Sequence, residues 1–86
     1  MAKVLPFARK PASANPALDV CLAKGRTSRR YVIAEVRSDV WECSIDEDGR
    51  VSRVALSRRE AVQRKAELEL RIATELGAGW TLERNR

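Results

Sequence analysis

From Arg30 onward the apolar positions follow two rhythms. The stretches "RYVIAEV", "DVWECSI" and "RVSRVAL" are short and rich in β-branched residues, and the second alternates with Trp41, Cys43 and Ile45 on one parity, the period-two pattern of strands with one buried face. Arg37-Ser38-Asp39 separates the first two runs, and Asp46-Glu47-Asp48-Gly49, ending in the Asp-Gly pair that hairpins favour, separates the second from the third. A three-stranded antiparallel meander is expected. Val32, Ala34 and Val36 are predicted on its inner face beside Trp41, Cys43, Ile45, Val54 and Leu56, with Glu42, Ser44 and Arg53 facing outwards.

After Leu56 the rhythm becomes helical. Ser57-Arg58-Arg59-Glu60 fits the S-x-x-E capping box, and Val62, Ala66, Leu70, Ala73 and Leu76 recur at helical spacing up to Gly77. Leu68 and Ile72 widen that stripe, and Glu69 falls near its middle. A carboxylate there must be paired, neutral or exposed. If it splits the stripe in two, Leu68, Glu69 and Ile72 form a candidate protein interface, and a homodimer becomes one use for it. "WTLER" then reads as a short final strand with Trp80 and Leu82 on one face.

Upstream of the meander, "NPALDVCLAKG" carries helix signals: Asn15 as N-cap, Pro16 at the first helical position, Lys24 near the end and Gly25 just past it. A short helix over 16–24 is predicted, although Val20 and Leu22 also suit a period of two. All three prolines lie in the first sixteen residues, among Ala, Ser and Asn and without periodicity, so 1–14 reads as a flexible basic arm ahead of a single domain over 15–86. The expected fold class is α+β, a small two-layer domain of order α-β-β-β-α-β in which the long helix covers one face of the sheet. Three-stranded sheets backed by one helix include major-groove DNA binders, and the resemblance is one of element order alone.

Charge changes this picture by its distribution. The 86 residues carry a net charge of +5. Seven cations meet one acid over 1–30, three meet six over 31–57, and seven meet five over 58–86, giving +6, −3 and +2. The densest basic stretch, "KGRTSRRYV", places Lys24, Arg26, Arg29 and Arg30 on a connector between the short helix and the first strand. Arg58 and Arg59 occupy the first turn of the long helix, where cations oppose the macrodipole and, with the free amides, would suit an anion. These six side chains are the candidate partner- or phosphate-binding set. The acidic hairpin is the wrong sign for a uniformly basic nucleic-acid face.

The chain has no histidine, which removes Ser-His and Cys-His nucleophiles, and no Gly-rich phosphate loop or metal-ligand spacing occurs. No catalytic residue, metal or cofactor is assigned. Cys21 and Cys43 read as small buried hydrophobes of a reduced compartment. With no run long enough for a membrane span or signal peptide, the expected location is cytoplasmic. Two functional readings remain. The favoured one is a small non-enzymatic interaction module, an accessory or inhibitor protein of a bacterial or mobile-element system, that binds a larger protein through its segregated charged patches. The alternative is a nucleic-acid binder using 24–30 and the start of the long helix.

Overall fold

The computed structural model describes residues 15–83. Five strands, β1 (Leu18–Lys24), β2 (Thr27–Arg37), β3 (Val40–Glu47), β4 (Arg50–Leu56) and β5 (Thr81–Glu83), form one antiparallel sheet in the order β4-β3-β2-β1-β5. The helix α1 (Arg58–Gly77) lies on one face, against β2, β3 and β4. The class is α+β as expected, but the sheet is larger than a three-stranded meander. The proposed arm over 1–14 lies outside the described residues.

The main correction is at 16–24, where β1 replaces the short helix. Asn15 does cap locally, its side-chain oxygen accepting from the Ala17 amide at 3.0 Å, but the turn leads into a strand. Nine helical residues would gain little alone, whereas all seven residues of β1 pair with β2 and place Leu18, Val20 and Leu22 on the covered face. Gly25 keeps the positive φ expected of it, 62°, as the first central residue of a two-residue hairpin turn. The β3–β4 turn needs the same freedom twice, at Asp48 (φ 56°) and Gly49 (φ 92°).

A second correction concerns the parity of β2. Tyr31 and Ile33 face α1, opposite Ile45 and Cys43, while Val32 and Ala34 face away. Both parities of "YVIAEV" are apolar in part, and a register shift of one residue exchanges the faces. Val36 occupies the irregularity between Glu35 and Arg37 and is exposed. On β3 and β4 the expected inner residues Trp41, Cys43 and Leu56 are buried. Val54 shares their face but is 46% exposed.

α1 begins as predicted. Ser57 Oγ accepts from the Glu60 amide at 3.2 Å and Glu60 Oε1 accepts from the Ser57 amide at 2.9 Å, and the bond from the Ser57 amide holds the Glu60 carboxyl below its usual range. The buried stripe, however, is Ala61, Leu68, Ile72 and Glu75. Ala66, Leu70, Ala73 and Leu76 are turned outwards, with Leu70 73% exposed. The helix has apolar residues on two sides, and the side carrying Leu68 and Ile72 is the one seated on Tyr31, Ile33 and Trp41. Leu68 and Ile72 are therefore core residues and not a free interface, and Glu69 is exposed.

Candidate functional site

The basic segment 24–30 is the β1–β2 hairpin, and strand alternation divides its cations. Lys24 donates through Nζ to the Ala78 carbonyl at 2.9 Å, tying the hairpin to the C-terminal end of α1. Arg26 is exposed at the turn. Arg29 points to the helix side. Arg30 points to the opposite side, where its guanidinium grips the Asp19 carboxylate through two bonds of 3.0 and 2.9 Å, the bidentate geometry that favours arginine over lysine. Arg58 and Arg59 are exposed at the other end of the sheet. Arg29 pairs with Glu47, whereas Leu56, just before the helix, pairs with Trp41. Six positions along β3 separate those rows, about 20 Å. The six candidate cations are thus distributed over two faces and two ends.

What the fold assembles instead is a polar cluster at the lower end of the core. Tyr31 is fully buried, and its hydroxyl lies 2.8 and 2.9 Å from the two carboxylate oxygens of Glu75, itself only 8% exposed. Arg29 donates to the same carboxylate, lies 3.7 Å from Glu47 and stacks over Trp80 at 4.5 Å. Arg71 reaches Glu47 at 3.3 Å and Glu75 at 3.5 Å, and its guanidinium sits 5.4 Å from the Tyr31 ring. Each charge is compensated by the opposite sign, as burial requires. The cluster borders an open cleft of about 410 Å³ lined by Thr27, Arg29, Glu47, Asp48, Arg50 and Trp80.

Sequence reading missed this cluster, since Glu75, Arg71 and Glu47 each look like ordinary surface charges. The available signal was the helical spacing of Glu75 from Leu68 and Ile72, together with Tyr31 standing two residues from both Arg29 and Ile33.

Burial, followed by the hydrogen bond to Glu75, pushes the Tyr31 hydroxyl above 10.0, its ordinary value. The neutral phenol is the favoured form, so its contribution to stability is complete below pH 10 and is lost as pH rises through the folded-state value. Tyr31 is the only tyrosine of the chain, and phenolate absorbance therefore reports it alone. The titration midpoint is expected above 10, moving back towards 10 in Glu75→Gln; a wild-type midpoint at or below 10 would show that the hydroxyl is not buried as described.

The face of the sheet away from α1 is covered by no other described element. Register places on it Asp19, Arg30, Glu42, Asp46, Arg53 and Glu83 around the smaller side chains of Cys21, Val32, Ala34, Ser44 and Ala55. Arg53 lies 4.0 Å from Glu42. Four acids against two arginines give this face the wrong sign for phosphate. Cys21 belongs to it and Cys43 to the helix side, and both are free thiols. Burial pushes the Cys21 thiol up despite neighbouring Arg30, which lowers it. Among the described residues no group of three or more Cys, Asp or Glu side chains is placed to hold a metal ion, and no helix is long and apolar enough to cross a membrane. No family model, curated protein or solved structure matches the chain.

Proposed function

We propose that this protein is a non-enzymatic interaction module that binds a larger protein through the uncovered sheet face and the adjoining β4 border. The observation that carries the reading is the five-stranded face itself. It is broad and carries charges of both signs interspersed with small or branched side chains that a partner can approach closely. Mixed polar and apolar character of this kind suits a protein surface. The strongest ionisable cluster, around Glu75, is closed on itself by mutual ion pairs and supports the fold.

The nucleic-acid alternative is disfavoured by the separation of Arg29 and Arg30 onto opposite faces and by the acid excess of the open one. Affinity capture should return a stoichiometric protein partner, and Ala34→Arg, which places a bulky cation on the open face at an exposed position, should weaken that association by about tenfold, or 1.4 kcal/mol, with the thermal midpoint unchanged. Retardation of a DNA duplex that falls steeply with salt, with no protein captured, would replace this reading with the other.

A further inference from the structure

Among the described residues nothing pairs with the outer side of β4, although the strand is seven residues long and every residue except Leu56 is exposed. The two-residue turn at Asp48-Gly49 makes Glu47 and Arg50 the first opposed pair. Hydrogen-bonded and non-bonded pairs alternate from there, so Val51, Arg53 and Ala55 turn their amides and carbonyls towards solvent. An edge of this kind is a template for another strand.

Charge narrows what that strand can be. Residues 50–59 hold four arginines, Arg50, Arg53, Arg58 and Arg59, and no acid. A strand added to β4 would meet the side chains of Arg50 and Arg53 at one strand spacing, about 4.8 Å, while the acids of β3 stand twice as far away. Self-pairing would bring two acid-free edges together and double the positive charge along the seam, and like charges close together across strands are destabilising. We propose that the β4 edge takes an extended acidic segment of another protein as a sixth strand, with alternate carboxylates, all on the uncovered side of the sheet, answering Arg53. Cationic side chains that turn neutral strands away from an edge select an acidic one. This inference rests on the interaction reading and names the chemistry of the partner.

The probe is a capped peptide of alternating glutamate and valine, about eight residues long to match an ordinary strand, with a lysine–valine peptide as control. Binding is expected for the acidic peptide alone, with the Val51, Arg53 and Ala55 amides shifting in NMR spectra. Ala55→Pro should weaken binding by about tenfold or more while the sheet persists, since proline is tolerated where an edge amide faces solvent. Arg53→Glu should act similarly. Should the proline variant unfold, methylating alternate amides of the peptide applies the same test to the native protein, and undiminished binding would sink the proposal. Equal binding of the lysine–valine peptide, a dimer abolished by Ala55→Pro, or duplex DNA bound through Arg53 in place of the peptide would each overturn it. If a captured protein partner persists in Ala55→Pro, strand addition fails while the interaction reading stands; absence of both partner and peptide binding removes both.

Discussion

Truncating Ile33 to alanine is expected to lower stability by about 3–4 kcal/mol, because its side chain is almost wholly buried between β1, β3 and α1 and the rigid sheet cannot close around the cavity. Val32→Ala, one residue earlier on the uncovered face, is expected to cost less than about 1 kcal/mol. Urea unfolding of both variants at equal m value measures the difference. The pair tests the register directly: equal losses, or a larger loss at Val32, would mean that β2 presents the other parity to the helix.

Removing Glu75 should be comparably severe. Glu75→Ala deprives the buried Tyr31 hydroxyl of its acceptor and leaves Arg29 and Arg71 without their shared carboxylate. Breaking a buried pair from one side costs roughly 3–5 kcal/mol. Arg29 keeps about a third of its side chain in water, at 29% exposure, so screening places the expected loss near the lower bound, about 3 kcal/mol. Replacing the group together, as Tyr31→Phe, Arg29→Met and Glu75→Leu, should recover most of that loss, since no polar atom of the three is then stranded and the apolar volume is kept. Thermal or urea midpoints of the single and triple variants decide the matter. A triple variant no better than Glu75→Ala would show that the cluster holds the fold by more than mutual compensation.

β3, β4 and α1 were legible because their signals agree with one another: strict alternation in "DVWECSI", Asp-Gly at the turn, and a capping box at Ser57. β1 was not, because Asn15 and Gly25 are residues that serve equally at a helix end and at a turn, and only the seven-residue pairing with β2 decides between them. The parity of β2 and the buried side of α1 failed for a shared reason. Each element has apolar residues on two sides, and the choice belongs to the tertiary contact of Tyr31 and Ile33 with Leu68 and Ile72. The candidate site followed from these choices. The density of Lys24–Arg30 is plain in the sequence, but a hairpin sends Arg29 and Arg30 to opposite faces, and the acid that meets Arg29 lies 46 residues away.

The order of the strands also gives the chain a built-in sequence of assembly. Among themselves β1 to β4 pair as neighbours along the chain, so three hairpins can close early at little entropic cost. β5 is different: Thr81 returns to Ala23 across 58 residues, beside the Lys24 bond to Ala78 across 54. With three exposed residues it has little burial to hold it. It is expected to be the last strand to join and the first to detach, and its departure would uncover the edge of β1.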